Sequence, residues 1–201
     1  MIYVEFISRR PGIEIADFHR VVRQVQQNWE AASPRDELIL NAGRTWRLGS
    51  QPEYLGIWHS PGVGLERLGE WEQAFRMRGE VGDEATMSRV ARVDVAGCYE
   101  ALLEPRRARD GLYYIERFRC TGPSSSVRSF YEHRGARLPR FVLNLLALRI
   151  GRLAPDPGGL AVWTVPGYGS LGEIAGEADK LNPAMEWVEA GLYADIGSEI
   201  L

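Results

Sequence analysis

The stretch Leu55-Gly56-Ile57-Trp58-His59-Ser60-Pro61-Gly62-Val63-Gly64 returns as Leu160-Ala161-Val162-Trp163-Thr164-Val165-Pro166-Gly167-Tyr168-Gly169, so one unit occurs twice in this chain. Each copy reads as a short apolar strand carrying a Trp, stopped by a Pro-Gly turn, because Pro cannot donate to a ladder and Gly accepts turn geometry. At an offset of 105, the 21 positions from Arg44 to Gly64 match Arg149 to Gly169 without a gap, and nine are identical. They are Arg44, Arg47, Leu48, Pro52, Leu55, Trp58, Pro61, Gly62 and Gly64. An offset of 111 places Tyr3 and Glu5 on Tyr114 and Glu116, and 112 places Phe18 on Phe130.

Working outward, Ile2 to Ile7 alternates with β-branched and aromatic residues and predicts a strand ended by Arg9-Arg10-Pro11-Gly12. Ile15, Phe18, Val22, Val25 and Trp29 recur at helical spacing before Ser33-Pro34 breaks the pattern. Leu38 to Leu48 predicts a strand with a bulge at Gly43, paired as a hairpin with Glu53 to His59. A helix over Leu65 to Arg78, a loop near Gly79 to Asp83 and a strand over Val90 to Cys98 complete β-α-β-β-α-β. After the charged segment 105–110 the order repeats. Strands are predicted at Leu112 to Phe118, Phe141 to Leu153, Leu160 to Thr164 and Trp187 to Ile196, with helices at Ser126 to Leu138 and Leu171 to Lys180. The expected division is a first unit over 1–104, a linker over 105–110 and a second unit over 111–201.

Composition is that of a globular protein: 201 residues, 45% hydrophobic and 25% charged. A net charge of -3 argues against nucleic acid, which calls for a basic stripe. No apolar run approaches the roughly 18 residues a membrane span needs, and Met1 leads straight into strand sequence, so a cytoplasmic protein is expected. Cys98 and Cys120 lack CxxC spacing and read as free thiols. Lys180 is the only lysine against 23 arginines, and its polar helical surroundings do not suit a Schiff base.

The β-α-β-β-α-β unit is the ferredoxin-like pattern, with two helices on one face of a four-stranded sheet and the other face bare. Two bare faces in one chain can cover each other. The fold class expected is α+β, tandem ferredoxin-like repeats joined as an α/β barrel. In this the chain resembles the dimeric α/β-barrel superfamily, which includes antibiotic-biosynthesis-monooxygenase-like proteins. Tyr3-Val4-Glu5-Phe6-Ile7-Ser8-Arg9-Arg10-Pro11-Gly12 with Asp17-Phe18 is similar to the start of NIPSNAP-type domains, and Phe130-Tyr131-Glu132-His133 with Leu138-Pro139 resembles the EthD group. The helical His of the EthD pattern is missing at about Gly135, so no EthD catalytic role carries over.

Alternation on the central strands divides their side chains into two layers. Ile2, Val4, Phe6, Leu55 and Ile57 are assigned to the helix-facing layer. Tyr3, Glu5 and Trp58, with Tyr114, Glu116 and Trp163 from the repeat, are assigned to the barrel interior as ligand-lining residues. A carboxylate among aromatic rings has its pKa raised by desolvation and suits acid/base work, so Glu5 and Glu116 are functional candidates. The structural alternative pairs each with an arginine such as Arg44 or Arg149 at the join of the units.

His59 aligns with Thr164, and His19 with Tyr131 at the offset of 112, so both histidines are peculiar to the first half. If His59 shares the helix layer with Leu55 and Ile57, the two can meet as an acid/base site. With Asp17 or Glu5 they could make three metal ligands, but no HxH or HExxH spacing supports a metal. Haem occurs in barrel relatives through an axial His; this sequence has no haem signature, and no cofactor is expected. Neither GxGxxG nor a P-loop lysine accompanies Pro61-Gly62-Val63-Gly64.

The leading expectation is an enzyme acting on a small apolar or aromatic molecule, by acid/base chemistry or cofactor-independent oxygenation. Its activity would be monooxygenase-, isomerase- or cyclase-like, with His19, His59 and Glu5 as catalytic groups. The alternatives are a non-catalytic ligand-binding or assembly protein, or a haem- or metal-binding barrel. Outer sheet edges left free would allow a homodimer.

Overall fold

The computed structural model describes residues 1–45, 53–78, 83–108, 111–178 and 183–196. Trp46, Arg47, Leu48, Pro52, the end of the 105–110 linker and Lys180 lie outside the described residues, as does the expected loop at 79–82. The first half contains β1 (Ile2–Arg9), α1 (Ile15–Ala32), β2 (Glu37–Arg44), β3 (Tyr54–His59), α2 (Glu66–Arg78), α3 (Asp83–Val90) and β4 (Ala91–Ala101). The second contains β5 (Leu112–Cys120), α4 (Ser124–Arg137), β6 (Val142–Arg149), β7 (Gly159–Val165), α5 (Leu171–Ala178) and β8 (Met185–Asp195). The expected order holds in both halves, with α3 as an addition: 83–90 turns once more as helix and packs on α1 before β4 begins.

The strands close into an antiparallel barrel in the order β1-β3-β2-β8-β5-β7-β6-β4. Each half contributes a ferredoxin-like sheet, β4-β1-β3-β2 or β8-β5-β7-β6, and the outer strands join the halves. Both joins are short: Ala42, Gly43 and Arg44 of β2 face Asp195, Ala194 and Tyr193 of β8, while Tyr99, Glu100 and Ala101 of β4 face Arg149, Leu148 and Ala147 of β6.

The duplication extends to irregularities. Bulges fall between Phe6 and Ile7 and between Arg117 and Phe118, which match at the offset of 111. Those between Leu38 and Leu40 and between Leu143 and Leu145 match at 105, so the expected bulge at Gly43 sits earlier in the strand. The two Pro-Gly turns differ. Gly62 adopts a left-handed φ of 69°, which favours glycine, whereas Gly167 is extended.

The assignment of layers from sequence is inverted. Ile2, Val4, Phe6, Leu55 and Ile57 form one core with Tyr113, Ile115, Leu145, Val162 and Tyr193 of the other half, and therefore fill the barrel interior. Tyr3 packs against Trp71 of α2, and Trp163 and Tyr114 belong to the cluster beneath α4 and α5, so the aromatic and acidic residues face the helices. Both faces of a helix-covered barrel are buried, so alternation separates the two faces without saying which is inside. Segment 105–108 packs down as well, with Arg106 N–H donating to the Asn144 carbonyl and Ala108 N–H to that of Ile39.

The edges are only partly used up. Among the described residues, Ala91–Ala96 of β4 pairs with β1 alone, and Val93 and Val95 there are exposed.

Because the interior core is shared by both halves, the barrel is expected to unfold as one unit. Ile57→Ala should cost about 2–5 kcal/mol in a single urea transition; two separate transitions, one unaffected by the substitution, would contradict a common core.

Candidate functional site

In the second half the space between sheet and helices is built around Glu116. This carboxylate on β5 is fully enclosed and accepts from Arg134 Nη1 at 2.7 and 2.9 Å, Tyr131 Oη at 3.2 Å and Trp163 Nε1 at 3.1 Å. Arg134 Nη2 also donates to the Ile174 carbonyl of α5 at 2.7 Å. Its guanidinium lies 5.2 Å from the Trp163 ring, 5.4 Å from Trp187 and 6.0 Å from Tyr131. Burial holds the Glu116 carboxyl above its usual range, and the Arg134 charge and hydrogen bond, then the Trp163 and Tyr131 donors, pull it only part of the way back. Arg137 of α4 pairs with Glu177 (2.7 Å) and Arg140, just past α4, with Glu173 (2.5 Å), which ties this segment to α5. Glu116 thus has an arginine partner, as the structural alternative foresaw, but on α4 and not across the sheet; Arg149 instead lies 3.5 Å from Asp156.

The first half keeps the carboxylate and loses its partners. β1 ends at Arg9 and α1 starts at Ile15, whereas β5 ends at Cys120 and α4 starts at Ser124, so the first connection is two residues longer (five, 10–14, against three, 121–123). Aligned from their starts, the helices match at an offset of 109. Buried Phe18 and Val22 then fall on Val127 and Tyr131, and half-buried Val25 on Arg134. The pairing of His19 with Tyr131 is corrected accordingly: one shared Phe set the offset of 112, while helix start and burial set the true one. Tyr131, Arg134 and Ala161 of the second cleft become Val22, Val25 and Gly56 in the first; Trp163 becomes Trp58.

Glu5, the counterpart of Glu116, is consequently half-buried, and no hydrogen bond or ion pair reaches it among the described residues. It stands opposite Gly56 on β3, and a Cβ on Gly56 would approach Glu5 Oε2 to 3.3 Å. With no cation beside it, burial pushes its carboxyl up to about 7. Tyr3, two residues along the same face, meets Trp71 at 5.1 Å, and Trp71 meets Trp29 at 6.2 Å. Burial, then the nearby Glu5, raises the Tyr3 hydroxyl.

Trp71 is held by Asp36, which sequence reasoning missed. The Asp36 carboxylate accepts from Trp71 Nε1 (2.9 Å), Ser33 Oγ (2.5 Å), Ser60 Oγ (2.6 Å) and Arg67 Nε and Nη2 (3.2 and 3.0 Å). Burial pushes this carboxyl up, but these donors outweigh it and hold it below the usual carboxylate range. An isolated Asp carries no pattern that announces such a hub. Gly56 was legible, since the gapless alignment sets it against Ala161.

The two histidines do not share a site. His19 packs edge-on against Tyr54 at 5.8 Å, at the start of β3 on the helix side. His59 ends β3 on the face of Leu55 and Ile57, opposite Ile2 and Glu37. Five residues of extended chain, roughly 16 Å, and the thickness of the sheet separate Tyr54 from His59. Burial, then Arg23 and Arg9, lowers the His19 pKa. Burial and then the nearby amino terminus lower that of His59, whose Nδ1 lies 3.7 Å from Glu37 Oε2, beyond hydrogen-bond reach. Both rings are therefore neutral near pH 7.

Haem is tested by the same packing. The second cleft is filled by Phe118, Tyr131, Trp163 and Ile174, and its His133 is exposed with Nδ1 2.8 Å from the Ser129 carbonyl. In the first, His19 Nε2 is buried without a hydrogen-bond partner among the described residues, as an axial ligand would be, but its ring is packed against Phe18 and Tyr54, each with centroids at 5.8 Å. The residues as placed do not fit a haem. Among the described residues no group of three His, Cys, Asp or Glu side chains could hold a metal ion, and no helix is long and apolar enough to cross a membrane.

Arg134→Met, which leaves Glu116 enclosed without its cation, is expected to cost about 3–5 kcal/mol in urea unfolding. A loss below about 1 kcal/mol, the value of an exposed pair, would contradict the enclosed geometry.

No protein-family profile matches this sequence, and no curated protein matches it either. Solved structures do match in shape. A haem-binding protein from Thermus thermophilus superposes with a TM-score of 0.61 at 10% identity, covering 96% of this chain and 90% of that one. A protein assigned provisionally as a chlorite dismutase gives 0.60 at 12%, covering 98% and 95%. A mutant chlorite dismutase of Candidatus Nitrospira defluvii, in complex with cyanide, gives 0.57 at 9%, covering 97% and 91%. At such identities the likeness is one of fold: this chain is an α+β barrel of paired ferredoxin-like sheets, similar in architecture to chlorite dismutase.

Proposed function

We propose that the barrel binds a small molecule with an apolar or aromatic body in the helix-facing cleft of the first half, and that Glu5 exchanges a proton with it. The observation that carries this reading is the contrast between Glu116, enclosed by three donors, and Glu5, at the same register without one among the described residues. A carboxyl titrating near 7 donates from its protonated form on the acid side of neutrality and accepts on the alkaline side, which suits a general acid or base. Tyr3, Trp58 and Trp71 supply the aromatic surface. Tyr114, Glu116 and Trp163 have no part in binding here, because their cleft is filled by the protein itself. His19 and His59 leave the catalytic set as a pair.

The fold shared with the haem-binding Thermus protein supports a second reading, haem binding in the first cleft, which requires α1 to open around His19. Haem titration separates the two: a shifted Soret band lost in His19→Ala favours haem, and an unchanged spectrum removes it. A homodimer along the Ala91–Ala96 edge of β4 belongs to either reading, and sedimentation equilibrium tests it.

The sign of the pH dependence follows from the raised carboxyl. Between the ordinary value of 4.5 and about 7 the folded chain holds a proton at Glu5 that the unfolded chain has released, so this site weakens folding as pH rises through that window. Glu5→Gln should gain about 1–3 kcal/mol on the wild type between about pH 4.5 and pH 8. Urea unfolding at both pH values checks this, and carboxyl NMR of the wild type should show one glutamate titrating near 7. A constant difference between the two proteins, with every glutamate titrating below about 5, contradicts the proposal.

A further inference from the structure

The second cleft contains a worked answer to the question of what the first could hold. There a guanidinium lies against a central-strand carboxylate, donates to a helix carbonyl and has three aromatic rings around it. Arg134 is tethered to α4, but its head group is in every chemical respect a bound organic cation. In the first cleft the carboxylate and the indole of the repeat are retained as Glu5 and Trp58, while the positions that differ carry smaller side chains, among them Val25 for Arg134, Val22 for Tyr131, Gly56 for Ala161 and, by strand register, Val93 for Trp187. Gly56 lies against Glu5, Val22 and Val25 hold the helix positions whose counterparts enclose Glu116, and Glu5 reaches solvent where Glu116 does not.

We infer that the first cleft receives the cationic head of a ligand, a guanidinium, amidinium or protonated amine on a flat apolar body, in the space that the Arg134 side chain fills in the second cleft. This rests on the reading of that cleft as a ligand site and adds the charge of the ligand. Described basic side chains nearby are committed elsewhere: Arg67 to Asp36 and Glu70, and Arg9 to the Ile13 carbonyl. Tyr3 is the titratable neighbour, and its neutral hydroxyl and ring add a donor and a π-face without adding charge. Entry of a cation favours the ionised carboxylate, so below neutrality binding displaces the Glu5 proton to the buffer, and no other bond changes.

Calorimetric titration of the full chain with phenylguanidine and with its neutral isostere phenylurea tests the inference. Phenylguanidine should bind about tenfold or more tightly at pH near 7.5, as a charge-assisted pair requires, and Glu5→Gln should abolish that preference. At pH near 6, the heat should vary with the ionisation enthalpy of the buffer, reporting about one proton released. Equal binding of both compounds, blocked by Gly56→Leu, would overturn the cationic ligand while leaving the cleft as a site for neutral molecules. Binding of neither compound would overturn the inference and the ligand-site reading together.

Discussion

A carboxylate placed under helices on a central strand must be paired with a cation or carry a proton, because solvation lost on burial is not recovered otherwise. This chain contains both solutions at one register. Glu116 is paired with Arg134 and tied to Tyr131, Trp163 and, through the guanidinium, the Ile174 carbonyl. Glu5 has Gly56 beside it and no cation, with Val22 and Val25 at the helix positions of Tyr131 and Arg134, and burial pushes its carboxyl up to about 7. The second half is closed by that interaction. The first lacks it.

The rest of the molecule makes the comparison sharp. Matching bulges and matching strand orders hold the two carboxylates in equivalent places, and the shared core of Ile2, Val4, Ile57, Ile115, Val162 and Tyr193 locks the two sheets together. Differences between the clefts are therefore differences of side chains on one scaffold. Polar groups follow suit: in the second half they knit α4 to α5 across the cleft, whereas in the first Asp36 gathers Ser33, Ser60, Arg67 and Trp71 at its margin and fixes the Trp71 ring over Tyr3.

Much of the architecture was legible because repetition is visible in a single chain. The 105-residue offset gives the β3 and β7 strands, their hairpins and the contrast of Gly56 with Ala161 directly. What alternation cannot supply is the sense of the two layers: Val4 and Glu5 point opposite ways in any strand, but both faces of this barrel are covered, and aromatic side chains lie on both, Phe6, Tyr113 and Tyr193 inside and Trp71 and Trp163 beneath the helices. The histidine pair failed for a related reason. His59 follows Leu55 and Ile57 to the interior face, and His19 sits by Tyr54 at the far end of the strand. The pairing of Arg134 with Glu116 leaves no mark in spacing, because it joins a helix to a strand, and the shared Phe18 and Phe130 hide the true helix offset of 109 that the lengths of 10–14 and 121–123 set.

The central claim is that the first cleft is the second with its partners removed, and restoring those partners tests it most directly. The measurement is the unfolding free energy, as a function of pH, of the chain carrying Val25→Arg and Val22→Tyr together. If the clefts are equivalent, the new arginine pairs with Glu5, the carboxyl near 7 disappears from the titration, and stability no longer falls between about pH 4.5 and pH 8. A double variant that keeps the pH dependence of the wild type, with Glu5 still titrating near 7, would contradict the equivalence.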